Sequence, residues 1–240
     1  MDGWVWFHLL STFDLRLPKS NANKIIMSQK FLWLIKASFI VYLLFLAPPF
    51  DWELTKSLIV KLLTLQWNNI NPVIFSLFCL VGVWILIYSS LLFFDGRMQS
   101  ISFYPFAIAS LGMGVIGLIP YLALREPNTE FTGVKDRWLQ ILDSRSTGIV
   151  LILFTISLFA YALIAGDWGQ FWYLFKSDRF INGMSLAFGL FCLLFPTALG
   201  DDMARRGYLR DSTLFRLTAF VPLFGPLAYL CWRSPIRATS

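Results

Sequence analysis

Two dense polar clusters stand where long apolar runs end: Asp95-Gly96-Arg97 and Asp201-Asp202-Met203-Ala204-Arg205-Arg206. A guanidinium beside a carboxylate at such a boundary can grip a phosphate or carboxylate ligand, with the aspartate holding the arginine in place. Asp95, Arg97, Asp201, Asp202, Arg205 and Arg206 are therefore the candidate ligand-binding residues. The competing reading is an ordinary charged helix end that sets the depth of a membrane span. No catalytic residue can be assigned from these clusters alone.

Other chemistry is sparse. His8 is the single histidine, set among Trp4, Trp6 and Phe7, which suits an interfacial ring and excludes multi-histidine iron and zinc sites. Cys79, Cys192 and Cys231 lie in apolar runs with no C-x-x-C pair, so they read as small packing residues. No metal site is expected. No Ser-His-Asp, Cys-His or phosphate-cradling glycine motif occurs.

The elements that position these residues follow from composition. A 57% hydrophobic fraction, a mean hydropathy of +0.65 and only 14% charged residues place the chain among all-α polytopic membrane proteins. Backbone amides inside hydrocarbon must be paired within their own segment, so apolar stretches of spanning length are helices. Six spans are expected, near 31–50, 73–94, 104–124, 148–166, 183–199 and 214–232. Residues 51–71 form an amphipathic piece, and the aromatic-rich stretch 167–179 reads as an interfacial belt. Residues 1–30 form a basic, partly interfacial leader. Asp2 ahead of the apolar stretch, and basic residues after it, argue against a secretory signal. The net charge of +6 fits anionic lipid headgroups and gives no reason to invoke nucleic acid.

The chain also resembles itself. Gly117-Leu-Ile-Pro-Tyr121-Leu-Ala-Leu-Arg125 and Gly225-Pro-Leu-Ala-Tyr229-Leu-Cys-Trp-Arg233 share Gly, Tyr, Leu and Arg at equal spacing, 108 positions apart. Arg97 and Arg205, Phe78-Cys79-Leu80 and Phe191-Cys192-Leu193, Asn71 and Asn182, and Asp51-Trp52 and Asp167-Trp168 follow in the same order. This predicts two three-span repeats, 31–125 and 148–233, joined by a polar linker, 126–147, with a tail at 234–240. Three spans per unit would insert the second copy from the opposite side, giving inverted repeats. The two polar clusters would then face opposite sides, roughly 30 Å apart. On that topology Lys and Arg divide ten to ten between the sides, so orientation is undetermined.

Two features could line a ligand site within the spans. Pro120, Pro196, Pro222 and Pro226 could each free a carbonyl, or simply kink a packed helix. Ala107, Ser110, Gly114 and Gly117 share a face, which lets a helix or a flat prosthetic group approach closely. No acid or base is expected at a span centre, which counts against an ion-coupled transporter.

Asp201-Asp202-Met203-Ala204-Arg205-Arg206-Gly207, followed by Phe224-Gly225-Pro226-Leu227-Ala228-Tyr229-Leu230-x-x-Arg233, resembles the closing half of the neoxanthin-synthase-type membrane family of plants and cyanobacteria. Phe94-Asp95-Gly96-Arg97 and Phe175-Lys176-Ser177 are loosely similar to it. The family's second glycine is Ala228 here, and its Trp and His before the Asp segment have no counterpart. The resemblance implies a cyanobacterial or plastid-type (thylakoid) membrane and a carotenoid or chlorophyll as ligand. The reading that follows is a non-catalytic factor that binds pigment, membrane lipid or a partner subunit. An enzyme acting on an isoprenoid is the alternative; its acid would have to come from Asp95, Asp201 or Asp202. A small-solute transporter ranks third.

Overall fold

The structure, a computed structural model, describes residues 22–208 and 213–236, with side chains from Gln29 onward. His8, Arg16, Lys19, Arg210 and Arg237 lie outside these residues. In chain order the helices are α1 (Ala22–Val41, prolonged by a π-turn, Tyr42–Leu46), α2 (Trp52–Leu63), α3 (Pro72–Gly96), α4 (Tyr104–Met113), α5 (Val115–Leu124) and α6 (Arg137–Leu142). They continue as α7 (Arg145–Ala165), α8 (Trp168–Ser177), α9 (Arg179–Arg205), α10 (Thr213–Phe220) and α11 (Phe224–Trp232). Four helical stretches are long and apolar enough to cross a membrane: Gln29–Leu46, Pro72–Gly96, Arg145–Ala165 and Arg179–Arg205.

The repeated Asp-Trp pairs are helix starts. Asp51 caps α2 by accepting from the Leu54 N–H, and Asp167 caps α8 by accepting from the Gln170 N–H. The tryptophan that follows is exposed in both, Trp52 and Trp168. At the centre α3 packs on α9. Trp84 stacks on Phe191 with centroids 6.4 Å apart and planes 8° off parallel. Tyr88 donates to the Phe191 carbonyl at 2.9 Å. Trp84, Tyr88, Phe191 and Phe195 are all buried, so this aromatic layer holds the two longest helices together.

The third and sixth expected spans are not continuous helices. Between α4 and α5 the chain turns at Gly114, whose φ of +56° ends one helix and redirects the next. Between α10 and α11 it turns around Pro222 and Leu223, the latter at φ +61°. Helices of about ten residues rise only about 15 Å, half a hydrocarbon core. Each pair folds back on itself as a hairpin instead.

Gly117 explains how tightly. A Cβ there would lie 2.6 Å from the Ala109 carbonyl carbon and the Ser110 nitrogen. At Gly225 it would lie 2.7 Å from the Leu217 and Thr218 carbonyl oxygens. The repeated glycine is the crossing point of each hairpin. Of the small face Ala107–Ser110–Gly114–Gly117, Ser110 and Gly117 meet within the hairpin and Gly114 forms its turn. Pro120 and Pro196 fall inside α5 and α9, whereas Pro222 sits in a turn and Pro226 in the first turn of α11.

Helices α3 and α9 run in the same direction. Their last turns meet through ion pairs described below. Their first turns each contact a helix junction of the other half: Asn71 Nδ2 donates to the Asp167 carbonyl at 2.7 Å, and the Arg179 N–H donates to the Pro49 carbonyl at 3.1 Å. An inverted relation between the halves therefore does not describe this chain. The hairpins supply the reason: each begins and ends at one end of the bundle, so the next long helix re-enters from the same side as before.

Candidate functional site: paired aspartate–tyrosine–arginine clusters

Tyr121 and Arg125 are one helical turn apart at the end of α5, on the face that meets the last turn of α3. The Tyr121 hydroxyl donates to Asp95 Oδ2 at 2.8 Å, and Arg125 Nε reaches the same oxygen at 3.1 Å. The end of α11 repeats this against α9. There the Tyr229 hydroxyl donates to Asp202 Oδ2 at 2.7 Å, and Arg233 Nη1 lies 3.3 Å from it. Each arginine also reaches the long helix of the other half. Arg125 Nη1 donates to the Thr197 carbonyl at 3.2 Å, and Arg233 Nη2 to the Ser90 carbonyl at 3.3 Å. Thr197 and Ser90 each precede the clamped aspartate of their own helix by five positions.

Further ion pairs bind the two clusters into one band. Arg125 pairs with Asp201, and Arg205 Nη2 lies 3.4 Å from Asp95 Oδ1. Arg206 engages Asp202 through Nε at 2.9 Å and Nη2 at 3.1 Å, and reaches Asp143 at 2.7 Å. Lys135 also pairs with Asp143. The band is buried: Asp95 and Asp202 are 0% exposed, Arg233 1% and Arg125 6%. Burial pushes the Arg125 guanidinium below its ordinary value, opposed by Asp95. Arg233 is lowered in the same way by burial and by neighbouring Arg206, against Asp202 and Asp143. For Arg206 burial acts downward, but Asp202 outweighs it and the net direction is upward.

The 30 Å separation expected of the two polar clusters is overturned. Asp95, Asp201, Asp202, Arg205 and Arg206 lie in one network, because the hairpins return the chain to the same end before α7 begins. Arg97 stands apart. It pairs with Asp136 at the surface, and both side chains are more than two-fifths exposed. Sequence reasoning missed Tyr121, Arg125, Asp143, Tyr229 and Arg233 as site residues. The signal for four of them was present as the Tyr-x-x-x-Arg that ends both repeated segments.

Four carboxylates face four guanidiniums in this band, and most of their donors and acceptors are taken up by one another or by backbone carbonyls. Such an arrangement clamps two hairpins onto two long helices. It offers a substrate no open charge from Asp95 or Asp202. Among the described residues no group of three or more His, Cys, Asp or Glu is placed to hold a metal ion.

Fold and site together define an all-helical protein with four helices of membrane-crossing length and two helix hairpins locked by buried Asp–Tyr–Arg clamps. No family model, curated protein or solved structure matches this chain.

Proposed function

We propose that the protein is a multi-pass membrane protein of four crossings and two hairpins that enter and leave on one side, built from two parallel copies of one unit. Its role is non-catalytic: it holds pigment, lipid or a partner subunit in a photosynthetic-type membrane. The observation that carries this reading is the commitment of Asp95, Asp201 and Asp202 to arginine partners inside the protein, so that the acids an isoprenoid enzyme would need are structural. The outward faces are apolar instead, with Ile164 87%, Phe45 77% and Val150 64% exposed, as lipid or pigment contact requires.

The folded-back hairpins also favour one orientation. Lys24, Lys30, Arg97, Arg125, Lys135, Arg137, Arg145, Arg205, Arg206, Arg216 and Arg233 fall at the ion-pair end, against Lys56, Lys61, Lys176 and Arg179 at the other. With Lys36 inside the first crossing and assigned to neither end, eleven to four among the described residues supports the ion-pair end as the cytoplasmic or stromal side. In a background with the three cysteines changed to alanine, single cysteines replace Ser100, Thr129 and Ser177. A membrane-impermeant maleimide should reach positions 100 and 129 from one side and 177 from the other. Six full spans would put 100 and 129 on opposite sides, and that result would end this topology.

The functional reading is tested by ligand content, because substituting the acids would unfold the protein before it disarmed an enzyme. Protein purified mildly from its native membrane should carry stoichiometric carotenoid or chlorophyll by absorption and mass spectrometry of the extract. A colourless preparation with bulk lipid alone would remove pigment from the reading and leave lipid and partner binding.

A further inference from the structure

Beside the buried band, at the same end of α3, lies a cleft of about 260 Å³ lined by Phe93, Gly96, Arg97, Ser102, Phe103 and Tyr104. Its wall is aromatic. The Phe93 ring meets Phe103 and Tyr104 edge-on at 4.9 Å each, and Trp138 at 6.3 Å. Tyr104 and Trp138 remain about half exposed. Arg97 stands at the lip, where one Nη is held by Asp136 and, among the described residues, Nε and the other Nη have no partner. Gly96 sits against Phe103 and Tyr121: a Cβ there would lie 3.0 Å from Phe103 Cβ and 3.3 Å from the Tyr121 hydroxyl.

Each half of this description selects a ligand. A half-anchored guanidinium and the Ser102 hydroxyl suit a phosphodiester, which accepts several charge-assisted hydrogen bonds. A wall of Phe93, Phe103 and Tyr104 suits ester and first acyl carbons, for which a free anion has no use. On the topology above, the cleft lies where a span meets the headgroups of the positive side, the leaflet face to which anionic lipids draw basic residues. We propose that this cleft is a binding site for an anionic glycerophospholipid, with Arg97 on its phosphodiester. The inference rests on the membrane reading and deepens its lipid-binding part.

The test uses full-length protein reconstituted in phosphatidylcholine bilayers containing phosphatidylglycerol, extracted gently and weighed by native mass spectrometry. The wild type should retain phosphatidylglycerol in preference to phosphatidylcholine. Arg97→Gln should lower that retention roughly tenfold, the loss of about one charge-assisted contact. Arg216→Gln removes an exposed charge at the same end of the bundle and should leave retention unchanged. Excess inorganic phosphate should not displace the lipid. Equal loss in both arginine variants would reduce the effect to bulk charge and overturn the site. Displacement by inorganic phosphate would make it a free-anion site and overturn the lipid. Tyr104→Ala, which strips the apolar wall, should also lower retention and carries the test if Arg97→Gln fails to fold. Cysteine labelling reads the topology separately, so a failed cleft and a failed membrane reading give different results.

Discussion

Asp202→Asn is expected to cost about 3–5 kcal/mol of stability, the penalty for leaving buried charge uncompensated. Asp202 accepts from Arg206, Arg233 and Tyr229 with no exposure to solvent, so its neutral replacement leaves two guanidiniums with Asp143 as their one remaining carboxylate. The folded fraction would be followed by SDS titration of protein in mixed micelles. Arg97→Gln is the contrast, because its partner Asp136 is a surface group and such pairs contribute about 0–1 kcal/mol. Burial decides the difference between two pairs of the same chemical type. The double variant Asp202→Leu/Arg233→Met should recover part of the loss, since removing both members of a buried pair avoids the orphaned charge. A single variant as stable as the wild type would show that the band does not hold the hairpins.

The second large effect is expected at the hairpin crossing. Gly117→Ala places a carbon 2.6 Å from two backbone atoms of α4, which no side-chain rotation can relieve. The hairpin must open at its base, and opening it withdraws Tyr121 and Arg125 from Asp95. A loss of about 3 kcal/mol is expected from overpacking, with the clamp lost in addition. Gly189→Ala is the control, since nothing lies within 4 Å of its added Cβ. It should be neutral or slightly stabilising through helix propensity. If the two alanine variants melt together in the same SDS titration, the close crossing is not what shapes the hairpin. Gly225→Ala should mimic Gly117→Ala in the other half.

Much of the architecture was legible from residue order. Apolar run lengths located α3, α7 and α9 to within a few residues outside their charged ends, because a backbone in hydrocarbon has no alternative to helix. The Asp-Trp pairs at 51–52 and 167–168 were legible as a repeat, and the structure makes each a helix start, with the aspartate accepting from the N–H three residues on. The matched Gly…Tyr…Arg segments pointed to elements that would turn out to share a role. What misled was hydropathy over 104–124 and 214–232. Both stretches are apolar throughout, so composition cannot distinguish one spanning helix from two half-length helices folded together. Gly114 and Pro222 carried the information, but a glycine or proline inside an apolar run is as compatible with a kink as with a reversal.

That single ambiguity propagated. Counting two hairpins as spans inverted the second half, put Asp95 and Asp201 on opposite sides and tied the charge balance. By itself the sequence determined an all-helical chain with apolar runs long enough to cross a membrane, counted as six, and a Tyr-x-x-x-Arg ending two similar segments. These are properties of period, length and local hydrogen bonding. Only the tertiary structure decided that both segments turn back, because that depends on Gly117 meeting Ala109 and Gly225 meeting Leu217 across a turn. Only it could decide that Asp95 and Asp202 each close on a tyrosine and an arginine 26 to 31 positions away. A buried charge finds its partner by solvation and three-dimensional proximity, and neither is written in the spacing of residues along the chain.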